Sequence, residues 1–542
     1  MHFWEKLKTI FLPPVPTQKQ NIQTKKLYCS LDKTIAYLQS AYDGSVDFTV
    51  RNITLKDGGK AALFTIEGMA NKETLALSIT NPVVQADIPP GSGAEKLKYI
   101  ERSVLSASEI TQIDTFEQLL TFIMSGFAVL AIDGCDKALS IGVQGFSFRS
   151  VSEPESEVVQ RGSREGFVEP LRINMTLIRR RMKTPELKFE TMSVGTTSKT
   201  DICLCYLNKI VSKGILSELK RRLKETDLDT VLASGYLVPY LENNRDFSLF
   251  TGVGITERPD TVCGKIHEGR IAILIDGTPS VLIVPHLFLE NFQTLDDYSN
   301  RAYFATFTRW LKYIAFFVAV FTPGFYVAIA TFNPELFPQQ LLSKVAASIA
   351  DTPFSLMAEV LIIHFIYEIM REAGLRLPRP LGHAVSIVGA LVIGETAVNA
   401  GLIGAPTLMV VALTAISSYV IPDLYPPVAI LRILFIIAGG IGGVWGIVLL
   451  FCVVLVNICG KLSFGVPYVS PVAPFSLFGM RDVLIRAGWK RFPKNEILYR
   501  IKGEANSLKS RTEITCAKKS KNICFTAFCY AVYQQNHCKY YL

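Results

Sequence analysis

Residues 380 to 421 form an almost unbroken apolar run that carries one acid, Glu395. A run this long needs hydrocarbon around it, since about 20 consecutive apolar residues already suffice for a transmembrane helix. The acid needs a reason to be there. A charge at a bilayer centre costs about 2.5–3.5 kcal/mol even on lenient insertion scales. Any fold of this chain must therefore place a membrane-embedded part beside whatever else it builds.

The apolar residues, 49% of the 542, are unevenly spread. Up to about residue 310 the chain has the mixture of a soluble α/β protein; from 310 to 460 it has that of a membrane domain. The formal charge of +9 is modest. Its basic residues are dispersed or flank apolar spans, which argues against nucleic-acid binding and for membrane flanking. The N-terminus, Met-His-Phe-Trp-Glu-Lys-Leu-Lys followed by Pro13, Pro14 and Pro16, shows no signal-peptide core or cleavage site. The soluble half is thus expected to stay cytoplasmic.

That half contains a repeat. Residues 126–133 read Gly-Phe-Ala-Val-Leu-Ala-Ile-Asp before Gly134, and residues 269–276 read Gly-Arg-Ile-Ala-Ile-Leu-Ile-Asp before Gly277, aligned without a gap at an offset of 143. Each is a β-branched run, an Asp-Gly turn and a second β run, the hairpin pattern. Each follows a helix-like stretch, Phe116 to Ser125 and Asp260 to Glu268, and upstream lie strand candidates at Asp47 to Ile53 and Asp201 to Leu207. The pattern predicts two similar α/β subdomains from an old duplication. The expected organisation is an N-terminal tail (1–27), subdomain 1 (28–150), a charged linker and helix (151–185), subdomain 2 (186–300), a helical polytopic membrane domain of four to six spans (301–460) and a cytoplasmic tail (461–542).

No enzyme site emerges from these residues. Asp133 and Asp276 each precede Gly in a tight turn, where Asp is ordinary. There is no phosphate loop, and Gly252-Val-Gly254 is too short for a dinucleotide fingerprint. Arg179, Arg180 and Arg181 fit a solvated helix end better than a phosphate or anionic-lipid site. The 11 cysteines read as reduced thiols, and Cys516, Cys524, Cys529 and Cys538 beside His537 lack the short paired spacing of zinc ligands. No cofactor or metal is expected.

In the membrane half, Tyr313 to Pro334 is a first uncharged span, with Pro323-Gly324 expected to kink it. Asn333 to Pro353 is amphipathic and expected along the outer surface. A second span, Phe354 to Met370, holds Glu359, His364 and Glu368, the last two one turn apart. A basic loop with Arg371, Arg376 and Arg379 follows, then spans at about 381–400 and 405–421, where Glu395 and Asn399 are one turn apart. Val428 to Cys459, with Arg432 its single charge, is long for one crossing. Its glycines permit either close helix packing at four-residue spacing or a turn between two shorter spans. Glu395, Asn399, Glu359, His364 and Glu368 are therefore the polar membrane candidates. Gly439, Gly443, Gly446 and Pro323 are the packing or hinge candidates. Polar groups this sparse suit a ring of copies around a shared pore better than a conduit inside one chain. The basic loop and tail belong on the cytoplasmic side with the N-terminal half, so the span count is even.

Several long blocks resemble the A subunit of the GerA-family spore germinant receptors. They are Arg164-Glu-Gly-Phe-Val-Glu-Pro-Leu-Arg, Ser198-Lys-Thr-Asp, Glu257 through Pro279, Val284-Pro-His-Leu-Phe, Ala384 through Gly394, Val411-Ala-Leu-Thr-Ala-Ile-Ser-Ser and Phe464-Gly-Val-Pro-Tyr. The resemblance implies a multi-pass protein of the spore inner membrane. It would act with a transporter-like B subunit that binds the nutrient and a lipoprotein C subunit, and assemble into a nutrient-gated ion channel. The stage V sporulation AF-type proteins, accessory to germination, are the nearest alternative. A secondary transporter is a more distant one, because no inverted repeat is visible among the spans. The tail from Ile514 to Leu542 departs from the family pattern.

Overall fold

The computed structural model describes residues 25–107, 109–145, 154, 157, 159–242, 248–376, 394–475, 479–486 and 488. The expectations for the N-terminal tail, the Cys-rich tail and most of the span at 381–400 lie outside these residues.

The soluble half holds two five-stranded sheets in which every pairing is antiparallel. The first comprises β1 (Phe48–Thr54), β2 (Lys60–Ile66), β3 (Ile110–Ile113), β4 (Ala128–Ile132) and β5 (Ala138–Ile141), in the order β1-β2-β4-β5-β3. The second comprises β6 (Leu187–Val194), β7 (Thr200–Leu207), β8 (Gly254–Thr256), β9 (Ile271–Ile275) and β10 (Val281–Val284), in the matching order β6-β7-β9-β10-β8. The central strands β4, β5, β9 and β10 are buried throughout, as expected of strands covered on both faces. The strands at Asp47–Ile53 and Asp201–Leu207 are not counterparts. The former is the edge strand β1 and the latter is β7, the equivalent of β2; the hairpin spacing differs upstream, so the constant offset breaks down there.

The Asp-Gly turns have a shared task. Asp133 Oδ1 accepts the Leu31 N–H at the start of helix α1 (Leu31–Ala41), at 3.0 Å. Asp276 Oδ1 accepts the Leu171 N–H at the start of α3 (Leu171–Arg181), at 2.9 Å. Between these lies α2 (Phe116–Met124), and its counterpart α4 (Pro259–His267) precedes β9. In each subdomain a carboxylate thus satisfies an orphan donor at a helix N-terminus, where the helix dipole also favours it.

The subdomains join through Arg179, which is fully buried and not a solvated helix end. Its Nε and Nη2 donate to the two oxygens of Asp47 at 2.8 and 2.9 Å, and Nη1 donates to the Thr184 carbonyl at 3.0 Å. Its neighbours Arg180 and Arg181 pair with Glu165.

Helix α5 (Ala302–Phe332) leads away from the soluble half for 31 residues, about 46 Å at 1.5 Å per residue. The amphipathic α6 (Gln339–Ala350) follows, and α7 (Leu356–Arg376) returns. Arg371 and Arg376 belong to α7 and not to a loop, because Glu368–Arg371 and Glu372–Arg376 pairs extend it by another turn and more. Residues 394–399 are helical, and α8 (Ala405–Tyr419) and α9 (Tyr425–Gly460) complete the set. Among the described residues, two helical stretches, Ala302–Phe332 and Pro422–Gly460, are long and apolar enough by length and composition to cross a membrane.

Helix α9 reverses at Gly443, where φ is +58° and ψ −148°. Phe435 and Phe451 both pack on Phe321, with ring centroids 4.6 and 5.5 Å away. Sixteen residues of straight helix would hold them about 24 Å apart. The glycine cluster is therefore a turn between two arms, with Gly446 against the Ala438 carbonyl and Gly443 against the Phe332 ring at the far end of α5. Gly439 lies on the first arm, where a Cβ would stand 2.5 Å from the Gly324 carbonyl oxygen. Gly439→Ala should therefore lower the unfolding midpoint of the detergent-solubilised chain, at a cost of about 1–3 kcal/mol. Gly442→Ala, with nothing within 4 Å of its Cβ, should leave the midpoint unchanged.

Candidate functional site in the membrane helices

Two welds hold the helices to the soluble half. At the start of α5, the fully buried Arg309 pairs with Asp297 at 3.0 Å and with Asp482 at 3.2 Å. Lys312 also reaches Asp297, at 3.2 Å. Trp310 and Tyr313 donate to the Leu484 and Val483 carbonyls, each at 3.0 Å. Tyr298 donates to Asp482 at 2.8 Å, and burial beside that carboxylate pushes its phenol well above the usual range. At the end of α9, Lys461 pairs with Glu242 at 3.1 Å and donates to the Phe250 carbonyl, and Ser463 donates to the Gly252 carbonyl. Sequence reasoning missed both welds. Their only signal was a charge at each end of an apolar run, which reads equally well as membrane flanking.

A buried ionic knot lies beneath them. Burial alone would raise the Glu290 carboxyl, but Arg270 and Lys265 hold it well below the usual range. Near Asp423, in the turn before α9, burial pushes the Glu157 carboxyl up to about 7, and it accepts a 2.6 Å bond from Thr256.

The expected polar residues divide into two sets. Glu359, 1% exposed, accepts the Gly404 N–H at 2.8 Å. It borders an apolar cavity of 410 Å³ shared with Phe354, Ile362, Ile366, Leu402 and Ile403. His364 is 2% exposed and neither ring nitrogen has a partner. Glu368 lies 2.7 Å from the Tyr425 hydroxyl, 3.2 Å from Arg371 Nε and 3.9 Å from Arg432 Nη1. These two acids and the imidazole face inward, between helices of one chain. Glu395 and Asn399 do not join them, and both are exposed on the outside of the single chain.

Arg432 is the residue whose role the sequence hid. Pro323, inside α5, has no N–H, so the Ala319 carbonyl four residues earlier loses its helical donor. Arg432 Nε, on the first arm of α9, donates to that carbonyl at 3.1 Å. In a water-free interior such a freed carbonyl must find a donor.

A folded α/β half welded to helices long and apolar enough to cross a membrane defines the class of protein. The chain belongs to the GerA family: residues 36–497 match the family described as Bacillus/Clostridium GerA spore germination protein. It is 40% identical over 464 residues to Spore germination protein KA of Bacillus subtilis (strain 168), covering 85% of each chain. It is 35% identical over 469 residues to a protein of the same organism named Uncharacterized membrane protein YfkQ, covering 86% of this chain and 91% of that one. Spore germination protein GerLA of Bacillus cereus is 31% identical over 444 residues, covering 81% and 89%. The crystal structure of the N-terminal domain of the A subunit of the Bacillus megaterium spore germinant receptor GerK3 is also similar. It shows 28% identity and a TM-score of 0.39, covering 49% of this chain and 98% of that one.

Two outcomes follow. Arg432→Met should cost about 1–3 kcal/mol more with Pro323 present than in a Pro323→Ala background, where the helix supplies its own donor to Ala319. Equal costs in a thermal-unfolding cycle would remove the link between the two residues. Glu157, raised from 4.5 to about 7, binds its proton more tightly when folded, so stability is lost as pH rises from about 4.5 to 7 and is flat above. Glu157→Gln should flatten that slope, read as unfolding midpoint against pH.

Proposed function

We propose that the chain is the A subunit of a nutrient germinant receptor in the spore inner membrane, and that it couples nutrient sensing to ion release during germination. Its partners would be a transporter-like, nutrient-binding B subunit and a lipoprotein C subunit, with the N-terminal half cytoplasmic. Six crossings would carry it: α5, α7, the expected span at about 381–400, α8 and the two arms of α9. What supports an even count is the position of the two ends of the bundle. Arg309 and Lys461, at the outward start and the final return, both bond to the soluble half.

The observation that carries the channel reading is the exposure of Glu395 and Asn399, in contrast to Glu359 and Glu368, which have partners within the chain. Hydrocarbon is a poor environment for an acid and an amide, and neighbouring copies that surround them with water would remove the cost. Glu359, His364 and Glu368 then act as supports within each copy. The glycine turn with Gly443 and Gly446, the close approach at Gly439 and the break at Pro323 shape the helices that present Glu395. Homo-oligomerisation in membrane lipid is part of the same reading.

Glu395→Gln should change the rate of ion release from nutrient-triggered spores, while the variant still accumulates with its partner subunits. Wild-type release kinetics in such spores would count against a path lined by Glu395.

A further inference from the structure

A positive charge is left over between α7 and the first arm of α9. Arg432 is 1% exposed and spends only Nε on Ala319. Nη1 and Nη2 have no hydrogen-bond partner. The nearby carboxylate, Glu368, stands 3.9 Å from Nη1, beyond hydrogen-bond distance, and is already occupied by the Tyr425 hydroxyl and by Arg371. Arg371 itself lies over the Tyr425 ring, 3.7 Å from its centroid. Two guanidinium groups therefore share one carboxylate. His364, one turn before Glu368 on α7 and within electrostatic reach of Arg432, adds two unpartnered ring nitrogens at 2% exposure. The Tyr367 ring lies beside them, its centroid 5.9 Å from the guanidinium carbon of Arg432.

A buried charge without a counter-charge costs several kcal/mol. Water satisfies donors but does not neutralise. The unused groups of Arg432 are donors only, two guanidinium nitrogens, and in either neutral tautomer His364 adds one imidazole N–H beside its one acceptor nitrogen. From this geometry we infer that Arg432 and His364 form a binding site for a small monovalent anion of about chloride size, held between α7 and α9. The bound ion supplies the acceptor that Arg432 Nη1 and Nη2 lack and cancels the surplus charge. It also reinforces the tie between the first arm of α9 and α7, where Arg432 itself has only the 3.9 Å pairing with Glu368. The site rests on burial and unpaired donors alone, so it stands whether or not the helices line a conduction path.

The test uses the full-length chain in lipid nanodiscs, with sodium chloride replacing sodium gluconate at constant ionic strength and the unfolding midpoint as readout. Gluconate, a bulky polyhydroxy carboxylate, serves as the large-anion reference. The wild type should show a saturable upward shift with chloride. Arg432→Met should abolish the shift, and His364→Phe should move it to higher chloride. A wild-type midpoint that is the same in chloride and gluconate would overturn the inference, and so would a full shift retained in Arg432→Met. If Arg432→Met does not fold, His364→Phe decides: a chloride dependence identical to the wild type removes the site.

Discussion

One hydrogen bond organises the membrane half, that from Arg432 to the carbonyl that Pro323 leaves without a donor. A proline inside a long apolar helix and an arginine inside another are each unfavourable in hydrocarbon. Together they offset part of one another. The bond also fixes geometry, because it sets the first arm of α9 against α5 at the depth where Gly324 and Gly439 let the two backbones meet. The second arm then has one place left to go. The turn at Gly443 returns it beside the same helix, and Phe321 lies between both arms.

The bundle is not loosely tethered to the soluble half. Arg309 and Lys312 enter buried ion pairs with Asp297 and Asp482, where removing one partner costs about 3–5 kcal/mol, and Lys461 enters a part-buried pair with Glu242. Residues on both sides of the bundle, at the start of α5 and the end of α9, are thus tied to segments next to β8 and β10. A displacement of the second sheet bears directly on the helices that frame Arg432. Arg179 and Asp47 extend that continuity to the first sheet. The two halves are thus joined through direct ion pairs and hydrogen bonds.

The sequence showed the periodic and the punctuated parts of this structure. The repeat around Asp133 and Asp276 was legible because hairpins write alternate β-branched residues and Asp-Gly into adjacent positions. Its deeper purpose, capping α1 and α3, was not, since Leu31 and Leu171 lie over a hundred residues away in the chain. The glycine cluster left two readings open, and the backbone at Gly443 with the packing of Phe435 and Phe451 on one ring separates them. Arg179 was misread for the same reason: a cation at a helix end looks solvated until the chain brings Asp47 to it. Of the polar candidates, Glu359, His364 and Glu368 could be placed on a helix but not on its inner face. That choice depends on α8 and α9, which the local pattern does not encode.

The account rests on the contrast between polar groups partnered inside one copy and Glu395 with Asn399 left on its outside. The most direct test is an image of the full-length protein extracted with its lipid, at a resolution that shows side chains. The account predicts several copies in one particle, with the Glu395 side chains converging on shared water. A single copy with Glu395 turned toward lipid, or packed dry against its own helices, would contradict it.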